Sequence, residues 1–470
     1  MGNESFKPSL SLTDATMIVA GSMIGSGIFI VSADIVRDVG SAGWLIFVWL
    51  LTGFMTLSAA LSYGELSSMF PKAGGQYVYL REAYNPLLSF LYGWSFFAVI
   101  QTATIAAVGV AFAKFTAYLL PFFSEDIVAI DLGFITITPA QLLSIGVIVL
   151  LTYINTRGIQ SGKIIQTTFT ITKILALFGL IICGLFMANK GLWNMNWKGA
   201  WDLHPFSNPG EAIKKYSTIA ALGAIASAMV GSIFSSDSWN NVTFIAGEIK
   251  NPKRNVGLSL FLGTLIVTII YITTNFMYMA VLSLHDIAGA EKDRVGVAAA
   301  QVIFGHAGTA IIAVLIMIST FGCNNGIILA GARVYYSMAK DGLFFKKVSQ
   351  LNKKSVPAVA LWLQCIIACA WSLSGKYGQL LDMISFVVVV FYILTIGGIF
   401  VLRIKRPDAE RPYKAIGYPV LPIIYIIMGL AFCILLIIYK PQFTWPGLLI
   451  TLLGIPIYYI IKPKGPVAVE

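Results

Sequence analysis

Gly21-Ser22-Met23-Ile24-Gly25-Ser26-Gly27-Ile28-Phe29 packs three glycines and two serines into seven positions of an otherwise continuous apolar stretch. A helix crossing a bilayer has to be continuous, and each interior glycine costs about 1 kcal/mol of helix propensity. Gly21 and Gly25 suit a small-xxx-small packing face, but the Gly25-Ser26-Gly27 triplet goes beyond that motif and predicts local unwinding. A counterpart lies in the sixth apolar stretch, Gly231-Ser232-Ile233-Phe234-Ser235-Ser236-Asp237-Ser238-Trp239-Asn240-Asn241, where small polar residues and an acid interrupt the helix. Interruptions in stretches one and six point to two inverted repeats of five helices, with the breaks together near the membrane midplane.

The rest of the chain fits that frame. Of 470 residues, 57% are hydrophobic and 11% charged, with a mean hydropathy of +0.82; a water-soluble protein carries roughly 25% charge. About twelve spans of the length a bilayer demands are read, near 15–36, 42–68, 86–120, 138–156, 164–188, 216–246, 256–283, 308–338, 357–374, 379–402, 418–439 and 445–461. Nothing alternates in polarity as a barrel strand does, so the fold class is an all-α polytopic membrane protein. Residues 1–190 form the first repeat, 191–410 the second, and 411–470 two further helices. Thr13-Asp14 reads as the cap of the first span, with no cleavable signal before it.

The formal charge of +11 is explained by topology. Loops on the N-terminal side hold roughly twenty Lys and Arg, including Lys250, Lys253, Arg254, Lys346, Lys347, Lys353, Lys354, Arg403, Lys405 and Arg406, against about nine on the other side. Both termini are therefore expected in the cytoplasm, with the chain in the inner (plasma) membrane. Lipid is the expected surroundings, and no nucleic-acid partner is expected, because the cations do not line one face.

Freed backbone at the midplane suits an α-amino acid. Amides near Ser26 and Gly27 would receive a carboxylate at a positive dipole end, and carbonyls around Gly21–Ile24 and Phe234–Ser235 would accept from the ammonium. Lys173, about nine residues into the fifth span, is too deep to snorkel easily. A central Lys costs roughly 2.5–3.5 kcal/mol, so such groups are functional by default; the bland alternative is a route to the interface through a wet vestibule. Asp237 either binds ligand or caps the second half of span six. Arg333 reads as a snorkelling residue. Pro71–Tyr77, bracketed by Glu65, Lys72, Arg81 and Glu82, reads as a re-entrant segment closing an inner gate, or as a plain loop. Cys183, Cys323, Cys365, Cys369 and Cys433 all fall in apolar runs and read as buried small hydrophobes. His204, His285 and His306 read as external surface residues, with no metal site. There is no P-loop, no catalytic arrangement and no cofactor motif, so the chain is not expected to be an enzyme.

These segments resemble the amino acid–polyamine–organocation superfamily, and within it a bacterial member of the L-type amino acid transporter family, similar to serine/threonine or alanine-serine-cysteine exchangers. The resemblance rests on Gly21–Phe29, Pro71–Tyr84, Lys173, Trp239-Asn240-Asn241, Glu248–Arg254, Ser319–Gly326 and Asp341-Gly342-Leu343, spread in order over nearly the whole chain. It implies a LeuT-like five-plus-five fold and sodium-independent exchange of L-amino acids. It assigns Ser26 and Gly27 to the carboxylate, Phe234 to an aromatic gate and Lys173 to the place of a cation tying spans one, five and eight. Tyr278 and Cys323 are further carry-overs, and with Gly21, Ile24, Gly25, Ser235, Ser236 and Asp237, read from the breaks themselves, they complete the expected pocket. Two departures matter. Phe234-Ser235-Ser236 stands where relatives often have Phe-Ala-Tyr, which points to small polar or aliphatic substrates. Animal relatives bond a single-span heavy chain through a cysteine in the third-to-fourth connection, and Pro121–Pro139 has none, so no disulfide-linked heavy chain is expected. Proton symport through Lys173, and a non-transporting amino acid sensor, are the alternatives.

Overall fold

A computed structural model describes residues 8–131, 133, 136–207, 216–374 and 377–462. Residues 1–7 and 463–470, on which the expected placement of the two termini bears, lie outside the described residues. Among the described residues, ten helices are long and apolar enough to cross a bilayer, and Ala358–Ser374 is a further apolar helix of 17 residues. The remaining span is the first, and it is broken: Leu12–Met23, a 3-10 turn at Gly27–Phe29, then Ser32–Val39. The expected spans are thus present, and the chain is a multi-pass, all-helical membrane protein. Its described strands are a two-residue hairpin, Ile130–Asp131 with Thr136–Ile137, between spans three and four.

Local chemistry sets the ends. Span one begins with a capping box of Ser11 and Asp14; the cap is Ser11 rather than Thr13, because Asp14 reaches back to the Ser11 amide at 2.9 Å. Pro139 follows Thr138 at the start of span four, and Pro86 follows Asn85 at the start of span three. Span eight is longer than expected. Helix Val295–Lys340 absorbs part of the connection and bends at Gly305, whose φ is 68°. Leu284–Ala288 and Glu291–Asp293 are short helical turns in the same connection.

Spans one, two and seven pack closely, as do spans three and five along span eight. A Cβ on Gly257 of span seven, Pro252–Val281, would lie 3.3 Å from the Gly64 Cα of span two, Ala42–Met69. Small residues permit this approach where lipid supplies no hydrophobic drive.

The face carrying Leu10 is closed by backbone and side-chain bonds together. Ser9 and Leu10 amides donate to the Glu248 carbonyl, and the Lys250 amide donates to the Leu10 carbonyl at 2.9 Å. Gly74 N–H reaches Phe244 O at 3.0 Å, and Ser337 Oγ reaches Ala73 O at 3.0 Å. The Pro71–Tyr77 stretch leads into a short helix, Gln76–Ala83, whose Gln76, Tyr77 and Leu80 are buried. Tyr77 and Arg81 both bond Asp341 at the end of span eight. It is an integral part of the closure and not a plain loop. On the opposite face Arg37 donates to Asp293 at 2.6 Å and to the Ala288 carbonyl, and Lys114 reaches Asp293 at 3.3 Å. Burial alone would raise the Asp293 carboxyl, but Lys114 and Arg37 outweigh it and hold the group below the usual carboxylate range. This clasp is therefore intact above that range and is released only as pH falls through the lowered value.

Arg333 does not snorkel. It is fully buried, its Nε donates to Glu248 Oε1 at 2.9 Å, and its guanidinium also bonds the Leu329 carbonyl. The nearby acid makes burial tolerable, because a guanidinium with a carboxylate partner need not reach water. Replacing Arg333 by Met strands the Glu248 carboxylate and is expected to cost about 3–5 kcal/mol. A lowered melting temperature of the detergent-solubilised protein, partly restored by adding Glu248→Leu, is the expected result.

Candidate functional site

Both interruptions are real, and they end where glycine and serine dictate. Span one stays helical to Met23, with the Ile24 amide bonded to Ala20 O at 2.9 Å. Span six, Thr218–Ser235, stays helical through the residues expected to unwind first. Its break covers 236–240, with Ser238 in the left-handed region at φ 64°, before the short helix Asn241–Phe244. The first interruption meets span six at Gly27, against Ser235, the last helical residue before the second interruption. A Cβ there would stand 2.0 Å from Ser235 Oγ and 3.0 Å from Ser235 Cα, so no other residue fits.

A broken helix exposes carbonyls that lipid cannot satisfy, and side chains from three other spans answer them. Lys173 Nζ donates to Gly21 O at 2.6 Å, Ile24 O at 2.5 Å and Ser319 O at 3.3 Å. With the side chain 1% exposed, the ammonium ends on these carbonyls and not at the interface. Ser319 Oγ reaches Ile24 O at 3.2 Å and Gly25 O at 3.3 Å. Cys323 Sγ lies 2.9 Å from Ser22 O, and a Cβ on Gly25 would meet that sulfur. From span seven, Tyr271 OH is 2.9 Å from both Met23 O and Ser235 O. Tyr278 OH reaches Ile28 O at 3.2 Å, and Ser32 Oγ donates to Asn275 Oδ1.

The sequence-derived residues thus fall into three groups. Gly21, Ile24, Gly25, Lys173, Tyr278 and Cys323 are the carbonyl bracing itself. Ser26, Gly27 and Ser235 form the contact between the breaks; Ser235 Oγ is turned back to Gly231 O at 2.7 Å. Of the carbonyls expected around Phe234–Ser235, Phe234 O already accepts from the Asp237 amide at 3.2 Å, whereas Ser235 O faces span seven. Phe234 is buried directly beside this contact. Ser236 and Asp237 line a cavity of about 20 Å³ with Thr52, Thr56, Trp239 and Tyr392. On its other side Asp237 borders a cavity of about 10 Å³ with Gln76, Gln101 and Asn240. Each holds about one water, so neither cavity has room for a larger molecule in this conformation. Asp237 is not the cap of the short second helix, whose N-cap is Asn240; its Oδ1 accepts from Tyr392 OH at 2.5 Å.

Tyr271 and the role of Ser319 escaped the sequence reading. A signal existed: Tyr271, Asn275 and Tyr278 are spaced to share one face of span seven, and all three address span one. Tyrosine is ordinary enough in membrane helices that one such stripe does not stand out.

The amino acid permease family profile matches residues 10–461. The chain belongs to the amino acid permease family. Similar relatives of this amino acid transporter include the serine/threonine exchanger SteT of Bacillus subtilis, 30% identical over 98% of both chains. The mouse b(0,+)-type amino acid transporter 1 is 28% identical over 97% of this chain and 88% of its own length. The mouse Asc-type amino acid transporter 1 is 28% identical over 98% of this permease and 83% of its own.

Gly27→Ala is expected to abolish amino acid uptake by this permease without loss of expression, since the methyl forces the breaks apart. Gly146→Ala, where a Cβ meets nothing within 4 Å, should leave uptake unchanged; both are read as labelled amino acid accumulated per unit of membrane protein.

Proposed function

We propose that this permease is a sodium-independent exchanger of small neutral L-amino acids that works by alternating access. The observation that carries the reading is the satisfaction of the span-one carbonyls by protein donors. Gly21, Ser22, Met23, Ile24 and Gly25 each have a side-chain donor, one of them a fixed ammonium. A permanent charge in that position does what a bound sodium ion would otherwise do for converging carbonyls, so turnover requires no metal cation. The amino acid carboxylate is received by the amides leading into the Gly27–Phe29 turn, where partial positive charge gathers, and its ammonium by carbonyls of the two breaks. Phe234 gates the pocket, and Ser236 with Thr52 and Thr56 favours short side chains able to hydrogen-bond. The activity for which the Bacillus relative is named, serine/threonine exchange, supports the same class.

In this reading residues 1–190 and 191–410 are the inverted repeats, and residues 411–470 add two helices. The permease stands alone in the plasma membrane, with both termini cytoplasmic and no disulfide-linked heavy chain. One observation favours a second reading, proton symport: the acceptors of Lys173 are main-chain carbonyls, with no carboxylate among the described residues bonded to it. An ammonium so placed has no fixed counter-ion to keep it charged.

Proteoliposomes loaded with L-serine or with buffer alone separate the two. Exchange predicts uptake of labelled L-serine only into loaded vesicles, equal in sodium and choline media and indifferent to a pH gradient. Uptake into buffer-filled vesicles that requires acid outside would overturn exchange in favour of symport. Lys173→Ala is expected to reduce exchange at least tenfold in either case, and L-leucine displacing label better than L-serine or L-threonine would refute the small-substrate assignment.

A further inference from the structure

Two large cavities lie away from the breaks, and their charges differ in kind. One, of about 580 Å³, sits on the face of Asp293 and carries Lys292 and Arg294 together with Asp126 and Glu291. Lys292 pairs with Asp126 and Arg294 with Glu291 at 2.9 Å, so these charges are answered within the protein. The other, of about 570 Å³, opens on the Leu10 face beside the start of span seven. Both charged residues that line it are cations, Lys253 and Arg254, and its wall is otherwise built from residues such as Leu61, Leu258, Phe261 and Ile416. Lys253 meets Glu410 at 3.1 Å in a solvent-exposed pair, which contributes little. Arg254 makes no ion pair among the described residues.

This groove is held open by the fold. Spans two and seven touch there through Gly64 and Gly257, and glycines leave the space beside such a contact unfilled. The far wall belongs to residues 406–419, and buried Glu65 of span two fixes it. The Glu65 carboxylate accepts from the Ala415 amide at 2.7 Å and from Arg403 at 2.7 Å. The Tyr413 amide donates to Ser68 Oγ at 3.3 Å, and the Tyr413 ring lies against Gly64. Depth matters as well as shape. Lys253 and Arg254 stand in the first turn of span seven, where a membrane helix meets the headgroups, and Phe261 lies about 10 Å further along the axis. Cations at the rim above an apolar wall match a molecule with an anionic head and a hydrocarbon tail.

We propose that this groove is a binding site for an anionic phospholipid of the adjoining leaflet, its phosphate on Lys253 and Arg254 and an acyl chain along Leu61, Leu258 and Phe261. A guanidinium fork matches phosphate oxygens, and the lysine adds a second positive charge. Net charge selects the lipid: a zwitterionic headgroup carries the same phosphate with its own cation beside it. The site is separate from the two breaks and holds for any transported substrate.

The test is native mass spectrometry of the detergent-purified permease titrated with phosphatidylglycerol or with phosphatidylcholine of identical chains. Phosphatidylglycerol should bind at least tenfold more tightly. Lys253→Gln with Arg254→Gln should weaken it about ten- to thirtyfold, the effect of two cations at a membrane surface, and leave phosphatidylcholine within about twofold. Lys346→Gln with Lys347→Gln, cations of the same face outside the groove, should change neither. Leu258→Trp fills the groove, keeps both cations and should weaken both lipids. Equal binding of the two lipids by wild type overturns the proposal, as does a loss on changing Lys346 and Lys347 as large as that on changing Lys253 and Arg254. Glycerol 3-phosphate, a headgroup without chains, should not displace phosphatidylglycerol; displacement at matched concentration would mean a site for free anions and refute a lipid site. If the double variant is not recovered, Arg254→Gln alone should weaken phosphatidylglycerol about fivefold, and no loss is again a refutation.

Discussion

The ammonium of Lys173 on the carbonyls of Gly21 and Ile24 is the interaction on which the rest depends. Inside a bilayer a backbone carbonyl with no donor costs several kcal/mol, so a helix opened at mid-membrane is stable only where something reaches into the gap. A lysine supplies three donors from one atom, and its charge is itself expensive to bury. Each therefore cancels the other's cost: the break gives the ammonium a ring of dipoles, and the ammonium gives the break its missing partners. Removing either leaves the other exposed to hydrocarbon.

Around that pairing the molecule divides its work. Spans five and seven are unbroken helices and span eight is helical beyond its bend at Gly305; they carry the bracing side chains, while the helical ladder is interrupted in spans one and six. Gly27 against Ser235 makes the meeting of the breaks tight enough that their separation is a definite event. The buried ion pair of Glu248 with Arg333 and the part-buried one of Glu65 with Arg403 tie the frame away from the two breaks.

How much of this was legible follows from what each residue costs. Glycines in a membrane helix and a lysine at its centre oppose the local rules of helix and lipid, so Gly25–Gly27 and Lys173 announced themselves. Residues that obey those rules did not. Tyr271 is an unremarkable aromatic until its hydroxyl is seen between two carbonyls. Arg333 read as a snorkelling residue because its partner, Glu248, is 85 positions away and the intervening chain gives no sign of the meeting. The break in span six was found but begins late, since serines are compatible with helix as long as their hydroxyls can bond one turn back, as Ser235 does to Gly231.

The stitching of Ser9, Leu10 and Lys250 by main-chain bonds has a different character from the pair just beneath it. An amide-to-carbonyl bond joins neutral groups, and where it reaches solvent, as at exposed Lys250, it exchanges for bonds to water with little net change in free energy. The Glu248 carboxylate and Arg333 guanidinium have no such exchange available, being sealed from solvent. One seam of this face is therefore a zip fastener and the other a rivet. Parting the rivet would leave two uncompensated buried charges, so this face opens more cheaply at the fastener than at the rivet.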